Sequence, residues 1–242
     1  MTEKEQFVPA HLLIHLLWGK LTIVEADSTN TFEAGDTIFV RRNTLAKFSK
    51  FPGSGGKAFK TLSIFIRKSF LQSYNKQEHN PSGNALFAEK LCRVKKLVPS
   101  PLLDSLFESL HLYFDSGLPL GPELSDIKTR ETLLLLKQMD APLYQSLFHF
   151  AEPGKIDLED FMSKNFVFNV PLTTFSRMTG RSLSTFKRDF KKVFDESPSR
   201  WLKKKRLEHA YYLIKEKHRT PSDVYLEVGF ENLSHFSSSF KE

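Results

Sequence analysis

The side chains with the most chemistry to offer stand near the end of the chain, where hydroxyls and cations recur at short intervals. Residues 182–192 hold Ser182, Ser184, Thr185, Lys187, Arg188, Lys191 and Lys192, and residues 232–241 hold Leu233, Ser234, His235, Ser238 and Lys241. Arginine can pair bidentately with a guanine edge, whereas lysines and small hydroxyls suit phosphate oxygens and close approach to a surface. No Ser/His/Asp, Cys/His or paired-carboxylate arrangement can be argued, so no catalytic residue and no cofactor is expected. His11 and His15, four apart in the apolar run HLLIHLLW, would share one strand face and read as packed histidines rather than metal ligands. Arg41 and Arg42 read as a solvated strand end. The loop FPGSGGK lacks the Gly-Lys-Ser/Thr ending and the following helix of a phosphate-binding loop.

The elements that must position the cationic residues form an internal repeat. SLSTFKRDFK (182–191) aligns without gaps to NLSHFSSSFK (232–241), with five of ten positions identical, and upstream Gly180 matches Gly229. Each copy reads as helix, glycine-containing turn, helix. At 100° per residue, Leu183, Phe186, Phe190, Val193 and Phe194 form one core-facing arc, and Ser184, Arg188, Lys191 and Lys192 lie opposite. In the second copy Phe230, Leu233, Phe236 and Phe240 make the buried arc, with Ser234, His235 and Ser238 pointing away. Such a unit suits the DNA major groove, with the second helix reading bases and nearby cations holding phosphates. A helix of about 19 residues beginning at Ser197-Pro198 would span roughly 28 Å, near the ~34 Å that separates successive major grooves on one side of a duplex. Its KKKR run, residues 203–206, lies between the units.

These motifs resemble the AraC/XylS family of transcription regulators. The resemblance rests on Ser182, Phe186, Arg188, Phe190 and Lys191, then on Ser197, Pro198, Trp201, Leu202, Arg206, Leu207 and Ala210, and finally on the stretch from Val224 to Lys241. It implies a sequence-specific regulator of double-stranded DNA, an activator in the commoner mode, with RNA polymerase as a partner. It implies base reading by Ser184, Lys187 and Arg188 in the first unit and by Leu233, Ser234, His235 and Ser238 in the second. Ser182, Thr185, Lys191, Lys192, Lys203, Lys204 and Lys241 are the expected phosphate contacts, and Arg206 is expected to be structural. Where this chain has Ser238 the family often has arginine, so weaker base contact is expected there. The family pattern also continues beyond the last Phe-Lys, whereas this sequence stops at Glu242; a truncated domain with a frayed last helix is expected.

Residues 8–75 read as short strands and tight turns, including Gly19-Lys20 and Gly35-Asp36, in the manner of a small sandwich or barrel. FEAGDTIFVRRNT resembles the cupin-type domain of the same family, and in particular of members that activate secretion genes under the control of protein partners. The expected fold is α+β: a cupin-like sensing domain over 1–82, a helical dimerisation region over 83–152, and, after a linker around Pro153, a DNA-binding domain over 155–242. Helices are expected from Ser100 to Gly117, over 123–138 carrying Leu133, Leu134 and Leu136, and over 142–150. If Trp18, Phe39 and Phe65 fill the β domain, it has no room for a ligand and a partner protein becomes the expected switch; a small effector is the alternative. A metal-dependent cupin enzyme with a helical accessory domain is the rival from another class.

Composition narrows the partners. The net charge is +7, and 17 of the 35 Lys and Arg but only 12 of the 28 Asp and Glu fall in residues 155–242, so the basic excess is concentrated there. Cys92 is the single cysteine, which excludes an intrachain disulfide and a cysteine-based zinc cluster. No apolar run is long enough for a membrane span or shaped as a signal peptide, so a cytoplasmic protein without membrane contact is expected.

Overall fold

The computed structural model describes residues 2–4, 7–78, 92–117, 119–150 and 154–241. The expected boundary at 82/83, Pro153 of the expected linker and the terminal Glu242 lie outside the described residues. Among the described residues there are ten strands: β1 (Thr2–Lys4), β2 (Phe7–Val8), β3 (His11–Trp18), β4 (Lys20–Val24), β5 (Thr29–Glu33), β6 (Thr37–Val40), β7 (Thr44–Leu45), β8 (Lys47–Phe51), β9 (Lys60–Ile66) and, after the first helix, β10 (Val94–Lys96). They form two antiparallel four-stranded sheets, ordered β1-β8-β4-β5 and β10-β6-β3-β9, and a small β2-β7 pair. The sheet continues at β10, past residue 82, because Val94 pairs with Val40 and closes one edge.

The two glycine turns carry the chain from one sheet to the other. Gly19, between β3 and β4, has φ +94°, and a Cβ there would lie 2.4 Å from the Phe51 carbonyl oxygen. Side-chain alternation then builds the layers. Leu12, Ile14 and Leu16 of β3 face Leu21, Ile23, Phe32, Ile38 and Phe48 in the space between the sheets. Leu13, Phe39, Leu62, Ile64 and Ile66 face the other way, against helices α1 (Lys68–Glu78), α2 (Pro101–Asp115), α3 (Pro122–Met139) and α4 (Ala141–Leu147). A sheet covered on both faces explains why His11–Ile14 and Thr37–Val40 are unbroken buried runs. Ser100 caps α2, accepting from the Leu102 amide at 3.3 Å, and Leu103, Leu106, Phe107 and Leu110 are its buried stripe. On α3, Leu133 and Leu136 are buried and Leu134 is exposed.

None of the three aromatic side chains named for the interior of the β domain fills the space between its sheets. Phe39 is buried, but on the helix side of its sheet. Phe65 is 52% exposed because Leu62, Ile64 and Ile66 take the inward positions of β9, and Trp18 is 43% exposed at an irregular strand end, with the Lys57 ammonium 3.8 Å from its ring centroid. His11 is fully buried and stacked on Phe39, and burial pushes its imidazole down to about 3; His15 stacks on Phe107 and bonds Thr37 at 2.9 Å.

The rest of the chain is helical: α5 (Leu158–Asn165), α6 (Leu172–Met178), α7 (Leu183–Phe194), α8 (Pro198–Lys215), α9 (Pro221–Val224) and α10 (Leu233–Lys241). Two cores share α8. Trp201 and Leu202, near its start, pack with Phe161, Phe175, Phe186 and Phe190; Ala210 and Leu213, near its end, pack with Val224, Val228, Phe230 and Phe236. Eighteen residues give the connecting helix a length of about 27 Å.

Candidate nucleic-acid interface

The two copies of the repeat build the same turn, bond for bond. In the first, the amides of Thr179, Gly180 and Arg181 donate to the carbonyls of Phe175, Arg177 and Ser176. In the second, the amides of Val228, Gly229 and Phe230 donate to the carbonyls of Val224, Leu226 and Tyr225. Gly180 and Gly229 both have positive φ, 66° and 93°. The left-handed conformation is needed where the chain leaves the first helix and swings into the second. Space is short at the second as well, since a Cβ on Gly229 would lie 2.7 Å from the Val167 carbonyl oxygen.

The second helix of each unit is then capped from the repeat position that precedes it. Ser182 Oγ accepts from the Thr185 amide at 3.2 Å and is also bonded to the hydroxyls of Thr185 and Ser184, at 2.9 and 3.1 Å. Asn232 Oδ1 accepts from the His235 amide at 2.7 Å. Both caps set the start of the second helix, and both leave its first turn facing outward.

The buried arcs leave the opposite, polar faces of α7 and α10 turned away from the protein. Phe186 and Phe190 are fully buried under α7, so Ser184, Lys187, Arg188, Lys191 and Lys192 are exposed, and Thr185 is half-buried at the edge. Under α10, Phe236 is buried and Phe240 partly so, leaving Ser234, His235, Ser238 and Lys241 exposed; the helix is formed to Lys241. Two residues assigned to the arcs stand outside them. Val193 is 48% exposed because the last turn of α7 rests on Phe194, which packs on Trp201 at 4.6 Å. Leu233 is 40% exposed because it is the first residue of α10, level with its own cap.

Charge is ordered around the first face. Arg181 donates to Asp189 at 3.2 Å and holds that carboxyl below the usual carboxylate range, while Arg188, two-thirds exposed, has its Nε only 3.6 Å from the other oxygen of Asp189. The Arg188 guanidinium is thus steered by a neighbour and remains open to solvent. Arg206 is the structural exception within the KKKR run. Its guanidinium donates to the carbonyls of Phe166, Phe168 and Gly229 at 2.8, 2.9 and 3.1 Å, stitching the loop before α6 to the glycine turn of the second unit. Burial lowers it to about 10. Lys203 and Lys204 are exposed on α8. Lys203 shares with Asn169, Ser199, Asn232 and His235 a hollow of about 530 Å³ between the two units. Asn232 and Asn169, which donates to Glu231 at 2.9 Å, are absent from the residues singled out in the sequence, although Asn232 occupies the place of Ser182 in the repeat.

Comparison with known proteins agrees with this arrangement. A helix-turn-helix domain model matches residues 175–242, and the model of the ExsA N-terminal regulatory domain matches residues 11–145, more than half of the chain. The chain belongs to the AraC family of transcription regulators. Among its relatives is the HTH-type transcriptional regulator ExsA of Pseudomonas aeruginosa, 29% identical, with 93% of this chain and 80% of that protein covered. The virulence regulon transcriptional activator VirF of Yersinia enterocolitica is 25% identical, with 93% and 83% covered. A crystal structure of apo ToxT from Vibrio cholerae aligns over 99% of this chain and 87% of that one, with 14% identity and a TM-score of 0.48. As an AraC-family regulator of this type, the protein pairs a regulatory N-terminal domain with a DNA-binding helix-turn-helix region. No helix among the described residues is long and apolar enough to cross a membrane.

Proposed function

We propose that this AraC-family regulator, acting by binding rather than catalysis, sets α7 and α10 into successive major grooves of one duplex and activates transcription there in the cytoplasm. Ser184, Lys187 and Arg188 read the first block of bases, and Leu233, Ser234, His235 and Ser238 read the second. Ser182, Thr185, Lys191, Lys192, Lys203, Lys204 and Lys241 hold phosphates on either side. The observation that carries the reading is the pair of identical turns, each presenting an outward polar face above a buried phenylalanine stripe. The experiment is selection from a random duplex library with the purified full chain, followed by footprinting. Two enriched blocks about one helical turn apart are expected; a library that stays unenriched sinks the reading.

The division into a β domain, a helical region and residues 155–242 serves this function in our reading. Leu102, Leu112, Leu124, Ile127 and Leu134 are exposed along α2 and α3, which supports a homodimer formed through those helices. RNA polymerase is the partner of the bound form by family resemblance. The switch is a partner protein on the N-terminal domain, because the space between the sheets is taken by Leu16, Leu21, Ile23, Ile38 and their neighbours. One observation favours a small effector instead: a hollow of about 630 Å³ at the junction with the helical part, with Val24, Ala26, Phe166 and Val167 on its walls and Glu25, Lys164 and Glu227 among its charged groups. Such an effector would be largely apolar, and a rise in melting temperature with fatty acids would identify it.

A further inference from the structure

The N-terminal domain grips both helix-turn-helix units, and it does so at the same place in each. The strand alternation through β7 and β8 puts Ala46 and Phe48 into the space between the sheets, which turns Leu45 and Lys47 to the opposite side. Leu45 is buried in the core of the first unit, among Leu158, Phe161, Phe168 and Phe175. Two residues on, Lys47 is 6% exposed, and its ammonium donates to the carbonyl of Leu226 at 3.2 Å and to that of Glu227. Both carbonyls belong to the turn that delivers α10. The first unit's counterpart of Leu226 in the repeat is Arg177, and its guanidinium lies over the ring of Phe7 of β2 at 4.7 Å. A buried ammonium is costly unless acceptors meet it, so this contact holds only while the second turn keeps its place relative to β8. Meanwhile both reading faces stay exposed, so the docked domain does not occlude them.

We propose that the N-terminal domain is a splint fixing the distance between the two reading helices, and that Lys47 is the positioning residue for the second. This rests on the two-groove reading above. The splint acts on spacing rather than on either set of base contacts. A duplex with one base pair added between the blocks moves the second block by about 3.4 Å and rotates it by about 35°, which a splinted pair cannot follow.

The test uses the full chain and the consensus that the wild type selects from a random duplex library. Affinities are measured on that duplex and on versions with one base pair added or removed between the blocks, for wild type, Lys47→Met and Lys47→Arg. The wild type should lose about tenfold for each change of spacing, a step of ~1.4 kcal/mol. Lys47→Met should lose threefold or less while keeping the same first-block preference, and Lys47→Arg, which retains donors, should restore the steep profile. A Lys47→Met profile that superimposes on the wild type's overturns the splint and leaves the DNA reading intact. Failure of the wild type to select any consensus removes both. If Lys47→Met does not fold, Lys47→Gln, with a shorter neutral donor, is held to the same threefold limit.

Discussion

The two helix-turn-helix units share a backbone plan and differ in what fills it. Position for position, Lys187 and Arg188 of the first correspond to Ser237 and Ser238 of the second. The first unit's leading helix spans seven residues, the second's four. The first unit also has its own helix α5 and a larger aromatic core. The second is held from outside, by Arg206 through the Gly229 carbonyl and by Lys47 through the carbonyls of Leu226 and Glu227. The difference separates two tasks. On the proposed reading, affinity and base choice would be concentrated on α7, while α10 would contribute a second, lighter contact whose value depends on being held at the right distance.

Removing the stitch should break this comparison most severely. Arg206→Met leaves three carbonyls without their donor, each costing about 1–3 kcal/mol where it remains buried. We expect roughly 3 kcal/mol in local stability, equivalent to about a hundredfold faster amide exchange in α10, with a smaller change in α7. Equal acceleration in both helices would mean that the second unit does not lean on Arg206 more than the first does.

The next effect is on recognition. Arg188→Ala should cost about 1–3 kcal/mol of DNA affinity and relax the preference at one base pair of the first block. Selectivity left intact would mean that α7 does not face the bases as placed. Lys191→Ala should weaken binding to all sequences alike and lower the slope of log affinity against log salt by about one unit. An unchanged slope would take Lys191 off the phosphates and make the first unit's cationic advantage smaller than its sequence suggests.

Much of this was legible in the sequence because the repeat and the phenylalanine spacing are local signals. The α7 stripe, the Ser100 cap and the glycine turns follow from period and residue type alone. What was not legible depends on contacts between distant segments. Nothing in KFSKF announces that Lys47 will reach the turn at Leu226, and nothing near Phe65 says that Leu62, Ile64 and Ile66 will take the inward side. Leu233 and Val193 fail for a narrower reason: a wheel drawn through a whole helix ignores its ends, where Leu233 lies level with its cap and Phe194, not Val193, meets the core. The alignment already sets Asn232 opposite Ser182, so the cap at Asn232 could have been found by asking what the two first positions share, a side-chain acceptor just ahead of a helix.

The smallest expected effect is also the most direct trial of the equivalence. Ser238 occupies the repeat position of Arg188, is exposed, and spends its hydroxyl on the His235 carbonyl of its own helix at 3.1 Å. Among the described residues, that hydrogen bond stays within α10. Ser238→Arg should therefore raise affinity by about 1 kcal/mol, steepen the salt slope by about one unit, and add a guanine preference at a single position of the second block. A gain in affinity with the steeper slope but no new base preference would mean that the added guanidinium meets phosphate alone. In that case α10 lies against the backbone, and the two units share a turn without sharing a way of reading DNA.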